Sequence, residues 1–435
     1  MEPLKGCTAT AGFARVADVQ MAKPKVISLY SGAGGLDYGF EAAGFETATA
    51  VEIDADCCNT MRRNRSWAVI ERSIFDVPSA EILKAARLKR GEAAVLIGGP
   101  PCQPFSKAGY WVRGESKRLD DPRANTLGAY MRVLEDTLPH AFLLENVEGL
   151  AYAKKSEGLD LLLGLLEDIN RRKKTHYRPC FQIVKAAEHG VPQLRERFIM
   201  VAARDGDEFR FPQPTHGPVQ ARNGQLPLHT VAPYRRAWDA LGEDDPDPSE
   251  DLEVRGKWAE LLPSIPEGEN YLWHTDRGGG MPLFGWRRRY WSFLLKLGKD
   301  KPSWTIQAQP GPAIGPFHWK SRRLSMRELC RLQTFPDDVV VTGARGAVQR
   351  QLGNAVPSLL AEVFARAIRA QLLGLKKPSP LPRLLPRDRG VPPPPEPVEP
   401  VAPRFQALKG DHKPHPGTGK GYRAATWSGG APAGA

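Results

Sequence analysis

The sequence predicts an α/β fold, in which a parallel sheet covered by helices is followed by a smaller, irregular domain. From residue 24 to about 204, short apolar runs alternate with amphipathic stretches, as in chains that build a parallel sheet. After Phe211 the composition changes, and residues up to about 319 are rich in Pro, Gly, Trp and charge with little periodicity. The first observation predicts the sheet, and the second predicts the irregular domain.

Six apolar runs are expected to form the strands, and they lie at residues 26–30, 47–53, 93–97, 141–145, 181–186 and 198–203. Residues 159–173 repeat Leu and Ile on one face, which predicts a helix. Residues 325–334 also read as helical. A further helix at 358–373 is expected to return to the first domain.

These elements divide the chain into five parts. A flexible N-terminal extension spans 1–21, the sheet domain 22–211, the irregular domain 212–323, and the elements that return to the sheet domain 324–375. The last part, 376–435, is rich in Pro, Arg, Gly and Ala. It has few core-forming residues, so we expect it to be disordered, because it cannot bury enough apolar surface to offset its ordering entropy.

Composition excludes several classes of protein. The 435 residues are 41% hydrophobic, as in globular proteins, and no run approaches the roughly 18 apolar residues of a membrane span. The N-terminus has no apolar signal region, so the cytoplasm is the expected compartment. Six cysteines occur without a Cys-x-x-Cys pair, which argues against a zinc site and a disulfide framework.

The formal net charge of +12 suits a protein that binds a polyanion. Two clusters interleave cations with aromatics, residues 286–291 (WRRRYW) and 318–323 (HWKSRR), a composition that fits contacts to phosphates and bases. A solvated surface with some buried Trp is the alternative. The residues predicted to contact nucleic acid here are Arg287, Arg288, Arg289, Lys320, Arg322 and Arg323.

A glycine-rich turn, residues 31–35 (SGAGG), directly follows the first predicted strand. Such a turn lets backbone amides approach a ligand at a helix N-terminus. It fits several nucleotide cofactors, or a plain tight turn. Glu52 ends the second strand, where it can accept ribose hydroxyls, and Asp76 is expected to end the third, where it can accept from an adenine amino group. No Gly-Lys-Ser/Thr phosphate loop is present, which argues against a kinase or ATPase.

Cys102 lies in residues 98–106 (GGPPCQPFS), directly after an apolar run. Prolines fix φ and glycines allow close approach to a ligand, so this thiol is held in a defined place and is a candidate nucleophile. A cysteine taken alone is more often a small core residue. The flanking prolines and polar residues argue against a core position.

The chain resembles the DNA (cytosine-C5) methyltransferases of bacterial restriction-modification systems. The resemblance rests on the Pro-Cys-Gln loop and on the family's other blocks in the family's order, over most of residues 24 to 370. The blocks are 26–36 (VISLYSGAGGL), 51–54 (VEID), 75–77 (FDV), 121–127 (DPRANTL), 143–147 (LLENV), 190–197 (GVPQLRER), 324–336 and 351–357 (QLGNAVP).

The resemblance implies a Rossmann-like sheet that uses S-adenosylmethionine, with a smaller, irregular target-recognition domain. The residues it places around the cofactor are Tyr30, Gly32, Gly34, Glu52, Ile53, Asp76, Pro101, Leu127, Asn354 and Val356. The residues it places in catalysis are Cys102, Glu145, Arg195 and Arg197. Cys102 adds to carbon 6 of cytosine, Glu145 holds the ring nitrogen N3, Arg197 contacts O2, and Arg195 braces the Cys102 loop.

The implied substrate is a cytosine rotated out of double-stranded DNA. Gln103 and Ser106 are candidates to fill the vacated helix and to touch a phosphate, and residues 103–123 are expected to form a lid. We expect a monomer near the nucleoid, with a cognate restriction endonuclease as a further partner. A tRNA cytosine methyltransferase and a non-catalytic methyltransferase-like DNA-binding partner remain as alternatives; the second normally lacks the nucleophile or the glutamate, and both are present here.

Overall fold

The computed structural model describes residues 22–101, 125–151, 157–218, 231–243, 246–286 and 289–409. The predicted flexible extension, residues 1–21, lies outside the described residues. No helix in these ranges combines the length and apolar character that crossing a membrane requires.

A seven-stranded sheet forms the centre of the first domain. Its strands are β1 (Lys25–Leu29), β2 (Glu46–Glu52), β3 (Ala68–Glu71), β4 (Val95–Gly98), β5 (Ala141–Asn146), β6 (Cys180–Lys185) and β8 (Glu196–Ala203), in the order β3-β2-β1-β4-β5-β8-β6. A two-residue strand, β7 (Gln193–Leu194), precedes β8. The six predicted strands are confirmed to within two residues at each end. Strand β3 was predicted only through Asp76, as the strand that this residue ends, and no range was given for it.

The sheet is not entirely parallel, which corrects the prediction. Strands β3, β2, β1, β4 and β5 are parallel, whereas β8 runs antiparallel to its neighbours β5 and β6. Only residues 186–195 connect β6 to β8. A parallel neighbour needs a crossover of about a dozen residues or more, so this short link favours the antiparallel arrangement.

Helices cover both faces of the sheet. The helices of the described residues, on the sheet and elsewhere, are α1 (Gly35–Ala42), α2 (Ala55–Asn64), α3 (Ser79–Ala86), α4 (Asn125–Thr137), α5 (Glu157–Lys173), α6 (Ala237–Leu241), α7 (Met326–Leu332), α8 (Arg345–Asn354), α9 (Ser358–Gln371) and α10 (Pro403–Gln406). Short 3₁₀ helices lie at Ile74–Asp76, Glu148–Ala151, Ala186–His189, Ala259–Ser264 and Tyr271–His274.

The two faces of the sheet have separate cores. On one face, Ile27 and Leu29 of β1 pack with residues of α3, α4 and α5. On the other, Val26 packs with α1 and α9, as the alternation of side chains along a strand requires. The predicted return of the helix at 358–373 to the first domain is therefore confirmed.

The described part of residues 212–323 has little regular structure, as expected. It contains β9 (His216–Gly217), β10 (Ala232–Pro233), β11 (Ser303–Trp304), α6 and two of the 3₁₀ helices. Its core combines aliphatic side chains with several aromatic ones, among them Tyr271, Phe284, Phe293 and Phe317; we call it the aromatic core. Strand β11 pairs with β7, so this domain is joined directly to the chain that leads into β8.

The segment after α9 corrects the prediction of a disordered tail. Residues 376–409, which we call the strap, lie against both domains, and residues 410–435 lie outside the described part. On the sheet domain, the fully buried Glu362 of α9 accepts hydrogen bonds from the backbone amides of Arg383 (2.7 Å) and Leu384 (2.9 Å). Arg366 donates to Ser379 Oγ (2.9 Å).

The strap then crosses to the irregular domain. Lys299, whose side chain is 4% exposed, forms ion pairs with Glu267 (2.7 Å) and with Glu396 of the strap (3.0 Å). The strap ends in α10, where Phe405 stacks on Trp258 with ring centroids 5.8 Å apart and planes at 15°. Phe405 belongs to the aromatic core of the irregular domain. The strap is therefore part of the folded structure.

Candidate active site

The turn after β1 lies in the left-handed region of backbone space at three positions. Tyr30 has φ 54°, Gly32 55° and Gly34 86°, and glycine adopts such values without steric cost. Tyr30 is anchored by a hydrogen bond from its hydroxyl to the carbonyl oxygen of Thr126 (2.8 Å). A Cβ at Gly32 would meet no atom within 4 Å. This side of the turn therefore faces open space.

The Glu52 carboxylate joins this turn to the end of β2. Its Oε2 accepts a hydrogen bond from the Gly32 amide (2.8 Å), and its Oε1 accepts from the amides of Ile53 (2.8 Å) and Asp54 (2.9 Å). A carboxylate can accept at about four positions, so capacity remains for a ligand hydroxyl. The geometry fits the predicted ribose contact, and it also gives Glu52 a role in shaping the turn.

Two large apolar side chains are exposed at this edge of the sheet. Ile53, directly after β2, is 67% exposed, and Phe75, in the 3₁₀ helix after β3, is 55% exposed. Exposed apolar groups at a strand edge suit the face of an adenine. Asp76 is exposed as well, but β3 ends at Glu71, so Asp76 does not end the strand as predicted. Phe75 was missed, although it directly precedes Asp76.

The remaining predicted cofactor residues fall into two groups. Pro101 and Asn354, the last residue of α8, are exposed. Leu127 is fully buried in the core, and the Val356 carbonyl packs against Gly35 at the start of α1. Leu127 and Val356 therefore support the site from within, and their contact with the cofactor stays a prediction.

Glu145 and Arg197 form a nearly buried ion pair at the end of β5. Arg197 Nε lies 2.7 Å from Glu145 Oε1, and the side chains are 13% and 11% exposed. Glu145 is opposite Ile199 on β8, so Arg197, two residues away, lies on the same face. Burial raises the pKa of Glu145, and the charges of Arg197 and Arg195 oppose that rise. The site thus holds a carboxyl with raised proton affinity beside a fixed cation.

The chain that follows β4 runs along this ion pair. A Cβ at Gly99 would lie 2.7 Å from Glu145 Oε2, closer than a real Cβ is found to any atom, so the backbone can approach this far only at glycine. The next carbonyl, of Pro100, accepts a hydrogen bond from Asn146 Nδ2 (3.0 Å). Asn146 is a positioning residue that sequence reasoning missed, although it directly follows Glu145.

Pro101 is the last described residue before the predicted nucleophile. Its carbonyl oxygen accepts a hydrogen bond from Thr126 Oγ1 (3.0 Å). Cys102, Gln103 and Ser106 lie outside the described residues. Pro101, held by Thr126, is therefore the point at which the described chain ends, one residue before Cys102 in the sequence.

Arg195 is buried, with 1% of its surface exposed. It donates hydrogen bonds to the carbonyl oxygens of Gly353 (2.8 Å), Ala355 (2.9 Å) and Ile306 (3.3 Å). Its Nε has no hydrogen-bond partner among the described residues. In the described structure Arg195 therefore holds the end of α8 and the irregular domain, whereas it was predicted to brace the Cys102 loop.

A family model described as C-5 cytosine-specific DNA methylase matches residues 24–370. The match covers most of the chain and includes every element of the site. The chain belongs to the C-5 cytosine-specific DNA methylase family. The methylase is a DNA (cytosine-5-)-methyltransferase of the bacterial restriction-modification type, and its methyl donor is S-adenosylmethionine.

Curated relatives support this assignment. The methylase is 42% identical over 370 residues to Type II methyltransferase M.SacI of Streptomyces achromogenes, an alignment that covers 80% of this chain and 93% of the relative. It is 32% identical over 346 residues to Type II methyltransferase M.NgoFVII of Neisseria gonorrhoeae, covering 77% and 83% of the two chains.

Two solved structures have a similar fold. A putative DNA modification methyltransferase from a prophage of E. coli has a TM-score of 0.58 at 23% identity and covers 80% of this chain and 99% of its own. A mutant of Spodoptera frugiperda DNMT2 has a TM-score of 0.55 at 17% identity, covering 79% and 99%. They support the Rossmann-like α/β assignment for the methylase.

The open side of the turn at Gly32, the Glu52 carboxylate and the exposed Ile53 and Phe75 suit S-adenosylmethionine. Its adenosine has hydroxyls for a carboxylate and an aromatic face for apolar side chains. The residues at this edge of the sheet therefore fit the family's methyl donor.

Two of the predicted DNA contacts have partners within the protein. Arg322 forms a bidentate ion pair with Glu328 of α7 (2.8 and 2.7 Å), which joins the irregular domain to the C-terminal elements. Its contact with DNA stays a prediction. The Arg289 guanidinium lies over the rings of Phe293 (5.6 Å) and Trp258 (5.7 Å), a position that orders it at the edge of the aromatic core.

Four further residues were predicted to contact DNA, and two of them are among the described residues. Lys320 is exposed and Arg323 is half-buried. Arg287 and Arg288 lie outside the described residues. These four, Arg289 and Arg322 remain candidates for contact with DNA.

A Gly99→Ala substitution is expected to lower methyl transfer about 100-fold, because the new methyl group would displace the Glu145 carboxyl, and a displacement of about 1 Å can reduce a rate this much. Incorporation of labelled methyl groups into DNA measures the effect. The control is Gly164→Ala in α5, where a Cβ meets nothing within 4 Å. Equal activity of the two variants would contradict the proposed contact.

Proposed function

We propose that the methylase rotates a cytosine out of duplex DNA and methylates its carbon 5 through a temporary bond between Cys102 Sγ and carbon 6. The observation that supports this most directly is that the backbone leading to Cys102 lies against the Glu145–Arg197 pair. A nucleophile, an acid and a cation are then gathered at one edge of the sheet, as covalent catalysis requires.

The chemistry explains why a nucleophile is needed. Carbon 5 of cytosine is a weak nucleophile, because the ring electrons are delocalised. Addition of the Cys102 thiolate to carbon 6 breaks that delocalisation and makes carbon 5 electron-rich. S-adenosylmethionine, when bound, supplies an electrophilic methyl group. Carbon 5 takes up that methyl group with S-adenosylhomocysteine as the leaving group. Loss of the carbon 5 proton to solvent, return of the N3 proton to Glu145 and expulsion of the thiolate then restore the ring and regenerate Cys102.

Glu145 is proposed to supply a proton to N3 as the thiolate adds. Burial raises the pKa of this carboxyl, so it holds a proton at a higher pH than an exposed glutamate does. Arg197 holds Oε1 and is proposed to contact O2 of the cytosine. Asn146 and Gly99 set the distance between the acid and the chain that carries the nucleophile.

The ring must leave the stack before any of these groups can reach it, at a cost of a few kcal/mol. Gln103 and Ser106 are proposed to occupy the vacated space and to touch a phosphate, and residues 103–123 are proposed to act as the lid. Sequence choice is proposed to reside in residues 215–320, with the remaining basic candidates divided between phosphates and base edges.

The Type II names of the relatives support a place beside a restriction endonuclease that acts on the same site. We propose that the methylase itself works as a monomer, because the described residues assemble one complete set of cofactor and acid groups within a single chain.

Labelled methyl transfer to duplex DNA and to tRNA tests the proposal against its nearest alternative. Nucleoside analysis should find 5-methylcytosine in the duplex and only background in tRNA. Methylation confined to tRNA would contradict the proposal, and the absence of transfer to either would favour a non-catalytic binding protein.

Glu52→Ala and Asp76→Ala are each expected to weaken cofactor binding by roughly 1 to 3 kcal/mol, the range for leaving a buried donor unpaired. Titration calorimetry with S-adenosylhomocysteine measures the change. The control is Glu71→Ala, since Glu71 is the register partner of Glu52 on β3 and pairs with Arg62. Unchanged affinity in both variants would show that the adenosine pocket is elsewhere.

A further inference from the structure

We propose that Trp291 and Trp304 form a stacking subsite for the guanine left unpaired when the target cytosine leaves the duplex. Their rings meet at a centroid distance of 5.3 Å and an angle of 67°, and the residues are 51% and 37% exposed. In the same part of the chain Trp238 and Trp319 are 8% and 2% exposed. An exposed indole pair has a large π surface, which a nucleobase can cover.

The fold places this pair next to the catalytic strand. Trp304 is in β11, opposite Leu194 in β7, and Thr305 Oγ1 donates to the Leu194 carbonyl (2.7 Å). Arg197 follows three residues after Leu194, about 10 Å along an extended chain, and binds Glu145. Trp304, and Trp291 through its ring contact, therefore lie beside the short segment that leads into β8 and to Arg197.

Hydrogen bonds hold the two indole-bearing segments in place. Asn270 Nδ2 donates to the Trp291 carbonyl (2.8 Å). Gln307 Nε2 donates to Ser292 Oγ (3.0 Å), which ties the chain after Trp304 to the chain after Trp291. The exposed aromatic surface is thus presented by an ordered backbone, which reduces the entropy lost when a base binds.

Guanine is the occupant that these positions favour. The extruded cytosine is assigned to Glu145 and Arg197, whose side chains are nearly buried, whereas the indoles face solvent and can meet only a base that lies outside that pocket. Extrusion leaves one such base without a partner, the guanine of the same pair. A purine has a larger π surface than a pyrimidine. The net charge of +12 favours binding of the phosphates that flank the guanine.

The inference rests on the proposed base extrusion, and a coupling experiment tests it. Bisulfite sequencing of DNA from cells that express the protein first identifies a methylated site. Affinities are then measured with S-adenosylhomocysteine present, on a duplex with that site and on one with an abasic residue in place of the guanine. Trp291→Ala and Trp304→Ala should weaken binding roughly 5- to 100-fold on the guanine duplex and less than about 2-fold on the abasic one.

Three further measurements make the result decisive. Trp304→Phe, which keeps a stacking ring, should retain most of the affinity, and Phe181→Ala, an exposed aromatic on the outer strand β6, should bind both duplexes as the parent does. An equal loss on both duplexes would overturn the inference. The inference would also be overturned if the indole variants lost affinity only when the target cytosine is present. A third duplex, abasic at the target position, would show this.

Trapping on 5-fluorocytosine separates this inference from the proposed function. If the parent chain forms the covalent complex and the indole variants show no guanine dependence, only the subsite is wrong. If the parent chain forms no complex, the proposed chemistry fails whatever the indole variants do.

Discussion

Replacement of Cys102 by serine is expected to reduce methyl transfer by several orders of magnitude while duplex binding survives. A thiol with an ordinary pKa near 8.5 is partly ionised near neutral pH, whereas a serine hydroxyl is almost entirely protonated and a far weaker nucleophile. Transfer of labelled methyl groups to DNA measures the first property, and a binding titration with S-adenosylhomocysteine measures the second.

Cys180→Ser is the matched control for this substitution. Cys180 is a partly exposed thiol at the start of the outer strand β6, and the proposed chemistry does not use it. Its variant should retain full activity. Substantial methyl transfer by Cys102→Ser would mean that another residue is the nucleophile or that no covalent bond forms.

Phe405→Ala is expected to lower the free energy of unfolding by about 3 to 5 kcal/mol, the usual range for removing a buried phenylalanine. Phe405 is 2% exposed and belongs to the core that also contains Phe284, Phe293 and Tyr271. Urea denaturation, followed by tryptophan fluorescence, measures the change, because Trp258 is in direct contact with the lost ring.

Leu381→Ala is the control within the strap, since Leu381 is 68% exposed. It should leave the unfolding midpoint unchanged. If Phe405→Ala were equally neutral, the strap would not contribute to the folded core. The same reasoning predicts that a chain ending before residue 376 is less stable than one ending at 409, which reverses the expectation from composition.

The strap shows why composition alone misled. A segment rich in proline has few strong hydrophobic residues, and a low count normally predicts disorder. Proline also restricts the unfolded chain, so less conformational entropy is lost when such a segment is ordered. One buried ring, Phe405, and ion pairs such as that between Glu396 and Lys299 then hold the strap against the irregular domain. These partners lie about 100 residues or more away in the sequence, so no local pattern reveals them.

The strands were predictable because β1, β4 and β5 are buried on both faces and appear as continuous apolar runs. Strand β3 is four residues long and only partly buried, which leaves too weak a pattern to recognise. The antiparallel direction of β8 depends on the length of its connection and not on the residues of the strand itself.

The sequence motifs predicted which residues belong to the candidate site. Glu145, Arg197 and Glu52 lie where the blocks of the sequence implied. Their partners could not be foreseen, because contacts such as Gly99 with Glu145 and Arg195 with Gly353 depend on the assembled sheet. Sequence motifs named the candidate residues, and the tertiary structure determined which neighbours hold each group in place.

A duplex that carries 5-fluorocytosine at the target position tests the covalent step most directly. Fluorine cannot leave carbon 5 as a proton does, so the bond to carbon 6 should persist after methyl transfer. With S-adenosylmethionine present, mass spectrometry of the denatured mixture should show one protein chain joined to one methylated DNA strand, and peptide mapping should place the bond on Cys102. A bond mapped to another residue, or no covalent complex under conditions in which unmodified DNA is methylated, would contradict the proposed mechanism.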